Sequence, residues 1–482
     1  MVIPTCNRSA ALRRCLSGLI ANCERYSHNV DIIIYDSSGE MAQIQSNIGV
    51  VDQCRQLSSN RILLLGASER ERVAATLVRA GISSETVSFA LEGMPSLGLV
   101  HTGASRNILS LVTAGKNVLS LDDDTEIRFS VHRSSIVEDV RESTRITKGP
   151  EICHNFYCDR SDLLASLDLS DIDLVGHHEE FLGVHTVSNA SQPSTDRRVR
   201  EGVSRIGLTV NGIVGDCGWG SPSQYLFLDN QSIERMARTE ASYRRTVTSR
   251  EMLRTSCGES ISETGGSFMS CAYGREGGLQ FPPFIPIARG SDVICASLVK
   301  LLNPEVLFCH LAAAIVHSPV DRRRFWLGEV TRSASATDLC TALNGALLST
   351  PRADGMTLTI LGNHLIDLSS RSTAELKDIL RTLRDRNTQT RVRHLEHTLE
   401  SYQGKSGQFV SDVQHYIGKL IEGDQNFEAA VPAELLYGRD LSAALKLTQR
   451  ILRLYGETLR AWPSVWNISG AGQREWLAST LQ

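Results

Sequence analysis

The sequence predicts an α/β fold followed by a mainly helical region, and three observations carry that reading. Short apolar, β-branched runs alternate with helical patterns through the first third of the chain. Polar clusters directly follow three of those runs, and strand-like runs cease after about residue 370. Val2-Ile3 opens a strand that Pro4, lacking an N–H, is expected to stop. Ser9 is the expected N-cap of a helix whose apolar side carries Leu12, Leu16, Leu19 and Ile20. Asp31-Ile-Ile-Ile-Tyr35 reads as a parallel strand covered on both faces. Arg61 to Gly66 is a further strand, with a helix from about Ser68. Ser105 to Ala114 is expected to be helical, Gly115 to end it, and Asn117 to Leu121 to form the next strand. From 150 to 320 the pattern is short strands between glycine-rich turns, such as Gly212 to Gly220. Beyond it, Leu376, Ile379, Leu380 and Leu383 share one helical face, as do Val413, Tyr416, Ile417 and Leu420, and then Leu447, Ile451 and Leu454.

Composition narrows the class. The chain has 482 residues, 41% hydrophobic and 22% charged, which is ordinary for a globular protein and long enough for more than one domain. Fifty Lys and Arg against 54 Asp and Glu leave a formal charge of -4, so the basic footprint of a nucleic-acid binder is absent. No apolar run is long enough to span a membrane, and the opening Met1 to Arg8 lacks a secretory-signal layout, so a cytoplasmic protein is expected. The 12 cysteines include no Cys-x-x-Cys pair and are expected to be free thiols; Cys153-His154 with Cys158 has no second pair to complete a zinc site.

In an α/β sheet, chemistry collects at the carboxyl ends of the strands. That rule selects Pro4 to Arg8, Asp36 to Ser38, and Asp122 to Asp124. Three adjacent carboxylates after a buried strand repel one another and need a compensating charge. A hard divalent cation, Mg²⁺ or Mn²⁺, that also meets a substrate diphosphate supplies it; a solvated acidic turn is the plainer alternative.

At this point the residues resemble a known family. Val2-Ile-Pro-Thr-Cys-Asn-Arg8, Ile33-Ile-Tyr-Asp-Ser-Ser-Gly39, Gly103-Ala-Ser-Arg-Asn107 and Leu119-Ser-Leu-Asp-Asp-Asp-Thr125 look like the family 2 glycosyltransferases of the GT-A fold. The likeness covers residues 1–40 and 100–130 well and 260–320 loosely. The stretch 41–100 is longer than the family needs, and nothing beyond 330 has a counterpart. The resemblance implies a GT-A domain over 1–330, with a nucleotide-sugar half (1–130) and an acceptor half (131–330), then a transition over 331–370 and helices over 371–482.

Residue by residue, it implies that Thr5 and Arg8 line the nucleotide pocket, Asp36 bonds the nucleobase and Arg106 approaches the phosphates. Asp122 meets the ribose side, Asp124 ligates the metal, and Asp123 is the variable middle position, expected to be exposed. Gly265-Gly266 resembles the acceptor-side glycine pair. Where the family has an acidic pair supplying the base, this chain has Ser291-Asp292, so Asp292 alone remains, and it also sits where a helix N-cap belongs. His317 resembles a third metal ligand, which favours Mn²⁺ over Mg²⁺, with His310 as its rival. Asp321-Arg-Arg-Arg-Phe-Trp326 offers arginines for leaving-group charge and aromatics for a lid, or is a basic linker. His177, His178, Glu179 and Glu180, with His185, have metal-binding types without recognised spacing and read as an acceptor-side or solvated loop.

The expectation is an inverting, metal-dependent transferase that uses a nucleotide diphosphate sugar, with UDP favoured over GDP by the family's habit. Its acceptor is a peptide, a small metabolite or a carrier lipid. The helical region, with a basic excess between Arg371 and Arg393, is open to acceptor binding, self-association or peripheral contact with an anionic membrane. The alternatives are a non-catalytic nucleotide-sugar-binding module, which the serine at 291 keeps open, and a sugar nucleotidyltransferase. The latter is disfavoured because Pro4 to Arg8 is not glycine-rich.

Overall fold

The computed structural model describes residues 1–131, 146–167, 169–185, 204–256, 258–266, 268–321, 323–332, 334, 336–351, 355–425 and 427–478. Arg322, in the Asp321–Trp326 run named above, and Cys257, one of the 12 cysteines, lie outside these residues.

Four parallel strands form one side of the sheet: β1 (Val2–Thr5), β2 (Ile32–Asp36), β3 (Ile62–Leu65) and β4 (Val118–Leu121), in the order β3-β2-β1-β4. The β2 run is apolar throughout because both faces are covered. Ile33 and Tyr35 join one buried cluster, and Ile32 and Ile34 join another. Helices α1 (Ser9–Arg25) and α2 (Met41–Leu57) cover the second face through Leu12, Leu16, Leu19 and Val51. Helices α3 (Ala67–Arg79), α4 (Ser84–Glu92) and α5 (Thr102–Val112) cover the first through Val73, Phe89 and Ile108.

Two local expectations are corrected here. Pro4 does not stop β1, because the Met1 carbonyl accepts from Ile33 of β2 and the Thr5 carbonyl from Ser37 directly after it. Its nitrogen therefore faces the other side, where pairing with β4 is confined to Val2 and Ser120, and no ladder bond is lost. Ser9 is not the N-cap either; Arg8 holds that position without a side-chain cap, and Ser9 is the first helical residue.

The remaining strands are β5 (Thr125–Val131), β6 (Ile146–Thr147), β7 (Ile152–Phe156), β8 (Leu169–Ser170), β9 (Arg205–Asp216), β10 (Glu251–Ser256), β11 (Ser260–Ser262), β12 (Ala272–Arg275) and β13 (Val306–His317). Among the described residues they extend the sheet beyond β4 as β12-β9-β13-β11-β6, with β10 and β7 beside β9 and β5 and β8 beside β13. The middle of the chain is thus not all short strands: β9 and β13 are 12 residues each and run parallel to one another. Short helices α6 (Arg160–Ser166), α7 (Leu174–Glu179), α8 (Asn230–Met236) and α9 (Glu240–Thr248) border these strands. Helix α10 (Ser291–Leu302) leads into β13.

Residues 331–370, expected as a transition, carry helices α11 (Leu339–Leu348) and α12 (Leu358–Ser370). They are followed by α13 (Thr373–Ser401), α14 (Gly407–Gln425), α15 (Ala433–Leu436) and α16 (Leu441–Ala478). This region is not packed apart from the sheet. Leu365, Leu376, Ile451 and Trp462 belong to the same buried cluster as Ile33, Leu111 and Phe308. The Trp462 indole donates to the Phe281 carbonyl at 2.8 Å, and the Tyr455 hydroxyl donates to the Pro283 carbonyl at 3.0 Å. The added stretch 41–100 supplies α4, on which α16 docks: Glu85 pairs with Arg450 and Arg453, and the Thr86 hydroxyl donates to Glu457. No helix among the described residues is long and apolar enough to cross a membrane.

Candidate functional site

The carboxyl ends of β1, β2 and β4 meet at one edge of the sheet. The Asp122–Asp124 turn follows β4 and leads into β5, and its first N–H donates to the Cys271 carbonyl at 2.8 Å. Each aspartate is met by a different partner. The Arg106 guanidinium, buried on α5, donates to Asp122 Oδ1 at 2.6 Å and to the Ser270 carbonyl at 3.0 Å. Asp123 accepts from the Thr5 hydroxyl at 2.7 Å and from Arg8 at 3.3 Å. Asp124 accepts from Arg8 at 3.2 Å through Oδ2, and its Oδ1 lies 3.4 Å from His317 Nε2. Sheet register makes the last contact, because His317 at the end of β13 pairs with Thr125 at the start of β5.

The three carboxyls differ accordingly in acidity. Burial pushes Asp123 up to about 7, with help from the neighbouring Asp124 charge and against Arg8 and Thr5. Asp122 is likewise raised by burial, against the pull of Arg106. Asp124 goes the other way, since the His317 and Arg8 charges outweigh its burial and keep it ionised. Burial would lower His317, but Asp124 and the Asp216 carbonyl raise it to about 9. Asp123 was expected to be exposed; it is 3% accessible because Thr5 and Arg8 draw it inward.

The His317 ring is fixed from behind: its Nδ1 donates to the Asp216 backbone carbonyl at 2.6 Å, so Nδ1 carries a proton and Nε2 faces Asp124. Asp216 ends β9, and its carboxylate is gripped by Arg250 through two bonds of 2.7 and 2.8 Å. Arg250 in turn stacks on Phe325 at 4.5 Å. Asp216 and Arg250 were not singled out in the sequence. Asp216 lies in the quoted glycine-rich run, whereas nothing in the sequence marks Arg250, which is 34 residues away.

Other candidates fall as follows. Asp36 is buried at the end of β2 and accepts from Ser38 N–H at 2.9 Å and Asn47 at 3.0 Å, so it shapes the β2–α2 turn beside Thr5. Asp292 is not an N-cap: Gly290 holds that position, and Asp292 lies in the first turn of α10, half-buried, accepting from Val293 N–H at 3.0 Å. Burial raises its pKa, and the Arg106 charge opposes the rise. Arg106 thus acts on both Asp122 and Asp292. The glycines at 265 and 266 serve packing within the chain. A Cβ on Gly265 would meet Phe308 at 2.9 Å, and one on Gly266 (φ +53) would meet Pro150 at 2.6 Å.

His310 does not join His317 beside Asp124. It is buried where β13 pairs with β11, toward the opposite end of the strand from His317, and burial holds it down to about 3. His178 is neither solvated nor on a loop; it sits on α7 between the Thr209 hydroxyl (2.6 Å) and Asn211 Oδ1 (2.7 Å), while His177 pairs with Glu259 at 3.2 Å. Phe325 is buried in the core, so of the expected lid aromatics only Trp326 is exposed. The described cysteines are free thiols, and His154 is turned to Ser232 and Asp229.

Among the described residues no three or more His, Cys, Asp or Glu side chains converge as a ready metal site. The Asp124–His317 pair nonetheless has the chemistry of a two-point cation mount. A carboxylate oxygen and an imidazole nitrogen 3.4 Å apart can share one ion at ordinary bond lengths of about 2.1 Å. The rear nitrogen is anchored on a carbonyl, as metal-bound histidines generally are. No family model matches the chain, and no match is found among curated proteins or solved structures.

Proposed function

We propose that the chain is an inverting glycosyltransferase of the GT-A type that takes its sugar from a nucleotide diphosphate donor, UDP-linked by preference, under an Mn²⁺ or Mg²⁺ ion. The observation that carries this reading is the convergence of Asp122, Asp124, Arg8, Arg106 and His317 at the carboxyl edge of β1 and β4. The strand order β3-β2-β1-β4 supports it by placing the first βα turn beside the acidic turn, where α/β sheets bind nucleotides.

In this reading Asp124 and His317 hold the ion, which supplies positive charge to the donor diphosphate when bound. Arg106 fixes Asp122 toward the ribose, and Thr5 and Arg8 hold the turn in shape. Asp292 accepts the acceptor hydroxyl proton as that oxygen bonds to the anomeric carbon. The bond from that carbon to the diphosphate breaks, and the nucleoside diphosphate leaves with the electron pair. The raised pKa of Asp292 suits a base that must pick up a proton. Turnover of UDP-sugars with Mn²⁺, followed as UDP release, tests the assignment. Asp292→Asn leaves donor affinity within about threefold and slows turnover by about 10²-fold or more; a variant as fast as the wild type removes Asp292 as the base. Donor binding with no turnover in the wild type would make the chain a binding module, the reading that Ser291 favours by leaving a single acid at this point.

A further inference from the structure

One guanidinium lies inside the core with no carboxylate against it among the described residues. Arg275 ends β12, between Val118 of β4 and Leu208 of β9, and is 1% accessible. Burial lowers its pKa only to about 10, so it is a cation at neutral pH. Its Nη2 donates to the Thr113 hydroxyl at 2.8 Å and to the Thr113 and Ser110 carbonyls at 3.2 and 3.4 Å. These lie at the C-terminal end of α5, where a positive charge is favoured. The Phe281 and Trp466 rings face the guanidinium at 5.4 and 5.3 Å. Carbonyls and rings soften the charge, but none of them is an anion. The Tyr273 hydroxyl and the Cys295 thiol, which also face Arg275, are pushed up by burial, Tyr273 to about 12, and stay neutral. Arg275 Nη1 is buried and bonds no described residue.

Arg275 lines a small cavity with room for one particle of about water's size. Its other polar walls are Arg106, Tyr273, Ser110, Thr113 and Ser120, and aliphatic side chains of β1, β4 and α5 close the rest. Arg106 is neutralised by Asp122 at 2.6 Å, whereas Arg275 has no such counterpart, so the walls carry a net positive charge. A buried charge is costly unless it is paired. A water in the chamber would satisfy Nη1 and leave the charge as it was. A carboxylate or phosphate with its substituent exceeds the space. A monatomic anion meets both demands, and the Ser110 and Tyr273 hydroxyls on the wall are rotatable donors toward it.

We infer that this chamber is a halide site, holding chloride against Arg275 in the space that Arg106 also lines. The ion supplies the counter-charge that the chain's own residues do not. Arg106 reaches from the same chamber to Asp122, so the anion lies behind the acidic turn and shares an arginine with it. The site does not depend on the glycosyl-transfer reading, since every group that forms it is buried in the sheet and its covering helix.

Two measurements test it. Thermal unfolding of the dialysed protein in sodium chloride, against sodium gluconate at equal ionic strength, reads the ion in solution, because gluconate is too large for the chamber. Anomalous diffraction from crystals grown in sodium bromide locates it. The wild type is expected to melt about 2–4 °C higher in chloride than in gluconate, with a rise that saturates, and Arg275→Met to lose that difference. Bromide is expected to give an anomalous peak in the chamber, beside Arg275. Equal melting temperatures in the two salts overturn the proposal and leave a water in the chamber, with Arg275 held by α5 and the two rings alone. A chloride gain that survives in Arg275→Met overturns it too, by placing the ion elsewhere. If Arg275→Met does not fold, the wild-type crystals decide: a peak in the chamber upholds the site, and its absence overturns it.

Discussion

Three consecutive aspartates experience three different fields. Arg106 claims Asp122, Thr5 and Arg8 draw Asp123 into the interior, and His317 with Arg8 keeps Asp124 ionised. The sequence makes Asp122, Asp124 and His317 legible because each follows an apolar run at a strand end. It does not make Asp123 legible, since its burial depends on a Thr5 hydroxyl 118 residues away. Nor does it reveal Asp216 and Arg250, which act by fixing the rear of the His317 ring. The placement of two histidines on one strand is likewise a matter of register, because only His317 lies opposite Thr125, beside Asp124. His317→Ala is therefore expected to weaken Mn²⁺ affinity by about tenfold or more, and His310→Ala to leave it unchanged, in a direct metal titration. The reverse pattern would move the ion off this edge.

At the level of elements, the parallel half of the sheet is readable and the second half is not, for a physical reason. β9 hides as turn-like sequence because glycines interrupt it where neighbours crowd it. A Cβ at 207 would meet Val306 at 2.8 Å, and one at 212 would meet the Arg254 carbonyl at 2.4 Å. Helix α7 shows the opposite effect, a cluster that looks like chemistry and is structure. His178 is fully buried, donates from one nitrogen to Asn211 and accepts the Thr209 hydroxyl on the other, and burial lowers its pKa from 6.5 to about 3. Between those values the unfolded chain takes up a proton that the folded chain refuses. Stability from neutral His178 is thus complete above pH 6.5 and is lost as the pH falls toward about 3. His178→Gln should be less stable at neutral pH by about 1–3 kcal/mol and should show a shallower acid slope in urea unfolding. Equal slopes for the two proteins would mean that His178 is already charged in the fold.

For the molecule as a whole, helical periodicity locates the C-terminal helices but does not say what they pack on. The expected transition over 331–370 is two helices, and one buried cluster runs from Val2 through Phe308 to Trp466. Removing residues 371–482 strips Leu376, Leu380, Ile451, Leu459 and Trp462 from that cluster, each of which contributes roughly 1.5–3 kcal/mol by burial. That sum is as large as the net stability of a typical domain, so the 1–370 fragment is expected to be insoluble or protease-sensitive rather than folded. Recovery of a folded fragment with a cooperative thermal transition would show that the sheet domain stands alone.

The central claim is that this edge binds a nucleotide diphosphate through Asp124 and an ion, and calorimetry with UDP and GDP, each with and without Mn²⁺, tests it most directly. The wild type is expected to bind one of the two with an affinity that Mn²⁺ raises by about tenfold or more, and Asp124→Ala to lose that enhancement with its circular dichroism spectrum unchanged. Binding of neither nucleotide, or Mn²⁺-dependent binding that survives Asp124→Ala, would contradict it.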